Sequence, residues 1–356
     1  MRRDTGTRAE DVQQAFTILQ SARTTHYWLA GALAMIAMVL LSGCADTASV
    51  RPDEAAAVGK VVVVGRLRVI HEGEDNQWSL FRPARIYIAR DGKGKAFSQE
   101  LMRSDGMFYL PLMPGEYMFV GASFNNPKSW TEGQLARTQR VGARFTVTPG
   151  AESVYVGTVK IEAVQGGYVQ HVINDYETAV EAYQDKYPDG VKPNLSLMRI
   201  ELRTGTYKFI QKACSADWGV NCTGKYAGVI PTYPPVETNN FPIVSTLQPT
   251  FKWEPSTNPD IQYDFVLYRA VSHGSLGIGG RYLPGHVVEY RQGLVEPSYQ
   301  PSGRLEPNEK YFWSVRLRRD GIVSNWSRFS YLNFMIFAFT SGHSSWFGFA
   351  TPDNNK

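Results

Sequence analysis

The chain has 356 residues, of which 43% are hydrophobic and 13% are aromatic. This much apolar surface can form packed cores, which excludes an intrinsically disordered chain, and the length suffices for about two domains. The 37 Lys and Arg residues against 33 Asp and Glu leave a net charge of +4, which is too weak and too dispersed for a dedicated nucleic-acid binder.

An apolar run near the N-terminus has the pattern of an export signal. Residues 27–41 are mostly apolar and follow four arginines. A basic segment, a short apolar core and small residues at the cleavage point are typical of a secretory signal. This core has about 15 residues, whereas spanning a bilayer takes roughly 20. A plain N-terminal membrane helix is the alternative interpretation.

The segment Leu41-Ser42-Gly43-Cys44 at the end of this core resembles the lipobox of bacterial lipoproteins. In that class a peptidase cuts before the cysteine, whose thiol then carries diacylglycerol. The resemblance implies that residues 1–43 are a signal peptide and that Cys44 is lipidated, so that the membrane is a partner through the acyl chains. Ala45, which is not the aspartate of inner-membrane retention, implies the outer membrane.

Two further cysteines, Cys214 and Cys222, remain once Cys44 carries lipid. An oxidising periplasm favours a disulfide between them, and the short loop that separates them contains Gly219. A metal site is the competing interpretation, and it is the weaker one because neither a CxxC pair nor a nearby histidine is present.

The first part of the mature chain predicts a β-sandwich. Residues 44–57 are small and polar and are expected to form a flexible tether. From residue 58 onward, short runs such as Ala84–Arg90 alternate between apolar and polar residues, which is typical of strands. Turn dipeptides such as Asp105-Gly106 and Pro114-Gly115 separate these runs, as expected for an all-β sandwich.

Two turn-and-strand blocks, residues 105–117 and 145–157, resemble the hairpins of carboxypeptidase-regulatory-like, transthyretin-type domains. Such domains carry no peptidase residues, so the resemblance implies a rigid scaffold. Apolar residues at three- and four-residue spacing between Val172 and Tyr187 predict one short helix that Pro188 ends. The first domain with its helix is therefore expected over residues 58–203.

A connector and a second β-sandwich follow. Residues 204–245 contain the Cys214 and Cys222 pair and four prolines, which predicts a semi-rigid spacer. Over residues 246–340, Trp253 and the group Leu305, Pro307 and Tyr311 resemble the core tryptophan and tyrosine corner of a fibronectin type III domain. Residues 341–356 are expected to form a mobile tail. The fold class is therefore all-β, with two β-sandwich domains in series and one short helix after the first.

The sequence gives little support for catalysis. It contains neither an HExxH motif nor a GxSxG elbow, so we predict no enzyme activity, no metal and no cofactor beyond the covalent lipid at Cys44. A glycine-rich segment, 272–285, interrupts the second domain, and loops on a rigid sandwich are common recognition sites. Arg281, Tyr282 and His286 are therefore the candidate partner-binding residues.

These features together predict a lipid-anchored cell-envelope lipoprotein that acts as a binding or scaffold component. The expected partner is another envelope protein, which an exposed strand edge or loop would contact. One alternative is a carbohydrate- or peptidoglycan-binding lipoprotein. A second alternative is a hydrolase whose catalytic residues come together only in space.

Overall fold

The computed structural model describes residues 50–71, 73–75, 84–101, 105–124, 137–164, 167–202, 210–222, 225–237, 240–273, 281–330, 333–335, 338–340 and 344–353. Cys44 and the predicted signal peptide lie outside these residues, as does the centre of the glycine-rich segment. Residues Arg51–Lys356 form one compact unit. Within the described ranges, none of the helices is both long and apolar enough to cross a bilayer.

Among the described residues, the two α-helices lie in the first half of the unit. Its elements are α1 (Pro52–Ala57), β1 (Val61–His71), β2 (Glu74–Asp75), β3 (Ala84–Arg90), β4 (Lys95–Leu101), β5 (Met107–Leu112), β6 (Gly115–Phe124), β7 (Arg137–Val147), β8 (Ser153–Val164), β9 (Gly167–Ile173), α2 (Tyr176–Lys186), β10 (Asn194–Leu195) and β11 (Arg199–Ile200).

Where the structure describes the second half, its elements are strands and the 3₁₀ turn Ala216–Trp218. Its strands are β12 (Ile210–Gln211), β13 (Tyr226–Ala227), β14 (Pro231–Tyr233), β15 (Phe251–Trp253), β16 (Gln262–His273), β17 (Arg281–Leu294), β18 (Ser298–Tyr299), β19 (Lys310–Arg319), β20 (Ile322–Ser324), β21 (Arg328–Ser330), β22 (Asn333–Met335), β23 (Ala338–Thr340), β24 (Ser344–Ser345) and β25 (Phe347–Ala350).

Strand β1 is the centre of one sheet of the first sandwich. It pairs antiparallel with β5 and parallel with β8, while β3, β6 and β7 build the facing sheet. The run Val61–Val64 is buried throughout, because one face of β1 packs in the sandwich core and α1 and α2 contact the strand as well. A continuous β-branched run of this kind is typical of a strand covered on both faces.

Aromatic side chains fill the core of the second sandwich. Phe251, Phe265 and Trp313 are fully buried, and the ring centres of Phe251 and Trp313 lie 4.9 Å apart. Aromatic pairs at this spacing bury large apolar areas. At the start of β19, the backbone N–H of Glu306 donates a hydrogen bond of 3.0 Å to the Tyr311 hydroxyl, which fixes the turn before the strand.

The two halves share hydrogen-bonded strands. The end of β16 pairs parallel with β4, at Ser272 with Lys95 and at His273 with Ala96, so that one sheet of 11 strands runs through both halves. A buried apolar cluster covers this junction; its members are Tyr87, Ala89, Ala96, Met118, Val120, Val271 and Leu283. The predicted fold class, two β-sandwiches in series with one short helix after the first, is confirmed, and α1 is an additional helix.

Three predicted boundaries are wrong. Residues 52–57 of the expected tether form α1, whose Pro52 and Ala55 are buried; proline at the first helical position and acidic residues after it favour a helix start. The expected spacer 204–245 contributes Ala213, Trp218 and Val229 to the second core. The described residues of this range are therefore part of the second sandwich rather than a connector.

The third correction concerns the tail. Within the expected mobile segment 341–356, β25 pairs antiparallel with β19, and Phe347 and Phe349 are fully buried in the second core. Burial of two phenylalanine rings stabilises the fold by about 1.5 to 3 kcal/mol for each ring. This gain explains why a segment flanked by Gly, Ser and Asn is ordered.

Candidate functional site

The predicted site residues lie at three places. Cys44 is outside the described residues. The structure joins Cys214 and Cys222 by a disulfide bond, with the Cα atoms 5.5 Å apart. Arg281 begins β17, where its backbone pairs with that of His273. Its side chain is not among those that the structure describes. Tyr282 and His286 follow on the same strand, beside the junction between the two halves.

Tyr282 belongs to a cation–aromatic group. Its hydroxyl accepts a hydrogen bond of 2.7 Å from the Lys310 ammonium group, which also lies 4.4 Å from the ring centre. The ring of Phe241 meets that of Tyr282 edge-on, with centres 5.0 Å apart. These contacts fix the half-buried tyrosine in one position on the sheet surface.

His286 lies in a charged group that crosses between the two halves. Its Nδ1 lies 2.5 Å from Oε1 of Glu201 and donates a hydrogen bond to it, since a carboxylate can only accept. The Arg144 guanidinium lies 2.6 Å from the same nitrogen and donates to Glu201 Oε1 at 3.2 Å. The four residues Arg140, Arg144, Glu201 and His286 are called the Glu201 cluster below.

Arg140 extends the cluster toward the second half. Its Nη2 donates to Glu201 Oε2 at 3.3 Å and to the carbonyl oxygen of Gly285 at 2.9 Å. The guanidinium carbon lies 4.3 Å from the ring centre of the buried Tyr268. A strand of the first sandwich therefore contributes a cation that contacts β16 and β17 of the second.

The environment of Glu201 keeps it ionised. Its side chain is 12% exposed, and this burial raises the pKa of the carboxyl group. The hydrogen bonds from His286 and from the Val287 amide, together with the positive charge of Arg140, outweigh burial and hold the pKa below its ordinary value. Side chains of both halves and the Val287 amide donate to this carboxylate, so Glu201 acts as a charged anchor between the halves.

A second charged group lies within the second sandwich. Asp264 is fully buried; its Oδ2 accepts from Arg316 Nε at 2.7 Å, and its two oxygens accept from Arg318 at 2.7 and 2.8 Å. Arg316 also donates to the Tyr290 hydroxyl at 2.9 Å. The arginines form charge-assisted bonds in a low-dielectric interior, which specify how β16, β17 and β19 align.

Half-buried aromatic rings lie next to this group. The rings of Trp326 and Trp346 are 6.2 Å apart, and Tyr290 lies 6.3 Å from Trp326. The Arg316 guanidinium is 4.8 Å from the Trp326 ring centre, and that of Arg328 is 5.7 Å from Trp346. We call Tyr290, Trp326 and Trp346 the aromatic cluster.

Sequence reasoning missed Arg140, Arg144 and Glu201. Glu201 is 57 and 61 residues from the two arginines and 85 residues from His286, so no local motif joins these residues. His286 itself was selected only because it follows the glycine-rich segment. In the part of the chain that the structure describes, no group of three or more His, Cys, Asp or Glu side chains could hold a metal ion; the predicted absence of a metal stays a prediction.

Comparisons with known proteins assign no family. No family model matches the chain, and no curated protein matches it. Among solved structures, the FN1–FN3 domains of chicken CNTN1 are 9% identical, with 70% of this chain and 54% of that chain covered and a TM-score of 0.18. This chain thus spans about half of that fragment.

Two bacterial structures give similar values. A DUF3823 family protein from Parabacteroides merdae is 12% identical, with 76% of this chain and 96% of that chain covered and a TM-score of 0.16. A DUF3823 family protein from Bacteroides ovatus is 9% identical, with 80% and 98% covered and a TM-score of 0.16. TM-scores this low assign neither a family nor a function.

Proposed function

We propose that the chain is a lipid-anchored cell-envelope lipoprotein of the outer membrane that acts as a non-catalytic binding or scaffold component. The lipobox resemblance at Cys44 supports the anchor. The disulfide between Cys214 and Cys222 supports an oxidising compartment, where such bonds persist. The proposed partner is another envelope protein.

The observation that carries the scaffold role is the junction between the sandwiches. Strands β4 and β16 pair across it, and the Glu201 cluster places two arginines of the first half and His286 of the second around one carboxylate. A general base works with a pKa near the operating pH, whereas the pKa of Glu201 is lowered. This carboxylate suits a mechanical role better than proton transfer.

The two halves also fit the resemblances noted in the sequence. We propose a carboxypeptidase-regulatory-like module followed by a fibronectin type III-like module. The contact of the Tyr311 hydroxyl with the Glu306 backbone supports the second assignment, because a tyrosine corner makes a bond of this kind. Both module types serve as rigid supports for loops.

Crosslinking in cells tests this function. The tagged full-length chain is crosslinked, recovered from the membrane fraction and examined by mass spectrometry beside a Cys44→Ser variant. We expect one recurring envelope protein with the wild type, and we expect the variant to leave the membrane fraction. A wild-type chain recovered from the cytosol without an envelope protein would contradict the proposal.

The loop-proximal residues are the first place to look for the partner contact. Tyr282 and His286 already make contacts inside the chain, so their replacement would also disturb the fold. Arg281→Ala is the third variant, and Phe97→Ala, at an exposed position on β4, is its control. Weaker crosslinking of the partner to the Arg281 variant alone would support this contact, and equal crosslinking of both would remove it.

The aromatic cluster favours a second candidate function, glycan binding. Aromatic rings that are partly exposed have an apolar face and an edge that contacts water, and Trp326 and Trp346 lie side by side. Such rings can pack against the apolar face of a sugar. Co-sedimentation with insoluble peptidoglycan tests it. Retention that is lost in W326A and W346A but kept in F97A would support glycan binding, and no retention of the wild type would exclude it for this polymer.

A further inference from the structure

Three exposed apolar side chains lie at the end of the first sandwich where the chain enters it. Val58 is 62% exposed, Met113 47% and Val191 61%. Large apolar groups at this exposure do not contribute to either core. We call these three residues the entry patch.

Strand registers show that the entry patch occupies one end of one sheet. Val61 pairs with Leu112, so Met113 follows β5 beside the start of β1. The Val62 backbone N–H donates to the Glu152 carbonyl oxygen at 3.0 Å, which places the start of β8 alongside. The Ser153 hydroxyl donates to the carbonyl oxygen of Val191 at 3.4 Å.

Chain length places this end of the sandwich close to the proposed anchor. Six residue steps separate Cys44 from Val50, and at about 3.5 Å per residue they reach no farther than about 20 Å. Helix α1 then adds about 9 Å before Val58, at about 1.5 Å per residue. The first half of the unit is therefore held near the bilayer, and the second half follows it in the chain.

From this arrangement we propose that the entry patch rests in the lipid interface and orients the anchored protein on the membrane. The inference rests on the proposed lipidation of Cys44. The charges around the patch have both signs, since Lys192 and Glu152 are both exposed there. Insertion of the apolar groups, rather than attraction to anionic lipid, is thus the mode of contact.

Photo-crosslinking in vesicles tests the orientation. A benzophenone amino acid replaces Val58, Met113 or Val191, one at a time, in the full-length acylated protein in vesicles of zwitterionic lipid. The matched control is Val295, which is 70% exposed and follows the end of β17 that lies away from the junction with the first half. Mass spectrometry reads the adducts and, in the same sample, the acylation of Cys44.

We expect phospholipid adducts at all three entry-patch positions. At Val295 we expect no more adduct than in a sample that is kept without illumination. Lipid adducts at none of the three positions in a protein acylated at Cys44 would overturn the orientation and leave the anchor intact. Protein adducts in cells at these positions would overturn it in favour of a protein interface. A Cys44 without lipid would instead reject the proposed anchor, and the orientation with it.

Discussion

Removal of the Glu201 carboxylate tests how the two sandwiches are held together. Glu201→Ala deletes the acceptor of two arginines, of the His286 ring and of the Val287 amide. Arg140, whose side chain is only 10% exposed, then lies in the junction without its carboxylate. The halves keep the β4 and β16 pairing and the apolar cluster, so we expect a weakened junction rather than an unfolded chain.

The expected cost of Glu201→Ala follows from the burial of the Arg140 and Glu201 side chains. Removal of one partner from a buried ion pair costs about 3 to 5 kcal/mol, since the other charge is left uncompensated. At about 1.4 kcal/mol for each tenfold change, the opening equilibrium of the junction rises by about a hundredfold to a few thousandfold.

Hydrogen exchange at single amides measures this opening. The Ser272 amide donates to the Gly94 carbonyl oxygen at 2.9 Å and the His286 amide to that of Gly92 at 3.2 Å, so both bonds cross between the halves. In Glu201→Ala we expect both amides to lose about two or more powers of ten in protection.

A matched carboxylate provides the control. The Glu289 side chain is 8% exposed, against 12% for Glu201, but its partners Tyr299, Ser302 and Arg291 all lie in the second half. Glu289→Ala should lower stability without selective opening of the junction. Unchanged protection at Ser272 and His286 in Glu201→Ala would refute the reasoning, and so would equal losses in both variants.

Three further predictions concern stability. Because the folded state holds the pKa of Glu201 below its ordinary value of 4.5, the stabilisation by its charge is complete above that value and is lost as the pH falls through the lowered folded pKa. Urea unfolding should show a wild-type advantage over E201Q that narrows below pH 4.5; a constant difference would contradict this. Asp264→Asn removes the carboxylate charge to which the buried Arg316 donates, so urea unfolding should show a loss of about 3 to 5 kcal/mol in the free energy of unfolding; a loss under about 1 kcal/mol would contradict this. The double variant C214S/C222S removes the bond that closes a loop with a sequence separation of 8. The gain in chain entropy of the unfolded state should lower the free energy of unfolding by about 2.5 kcal/mol. A melting temperature equal to that of the wild type would count against a stabilising bond.

Local periodicity in the sequence was enough to predict the fold class. The run Ala84–Arg90 coincides with β3, because strand-forming patterns are visible within a few residues. One face of β3 packs in the first core and the other in the buried cluster at the junction. The helix after the first sandwich was also visible as spacing, although Val172 and Ile173 belong to β9 instead. Composition gave the wrong prediction at α1 and β25. Small and polar residues around these segments predicted a tether and a mobile tail, whereas the segments form a helix and a strand with two buried phenylalanines.

The candidate site depends on contacts that no local pattern contains. Arg140 and Arg144 lie on β7, and Glu201 follows the two-residue strand β11. The three residues meet because β11 pairs with β7 and the Glu201 amide donates to the Gly142 carbonyl oxygen. The second sandwich then adds His286 and the Gly285 carbonyl oxygen to the group. Arg316 shows the same effect, since its side of β19 is buried rather than facing solvent.

The N-terminus of the purified protein tests the central claim most directly. Mass spectrometry of protein from a membrane fraction should find a mature chain that begins at Cys44 and carries covalent acyl chains, and the Cys44→Ser variant should carry none. A chain that retains residues 1–43 with an unmodified Cys44 thiol would contradict the lipoprotein account.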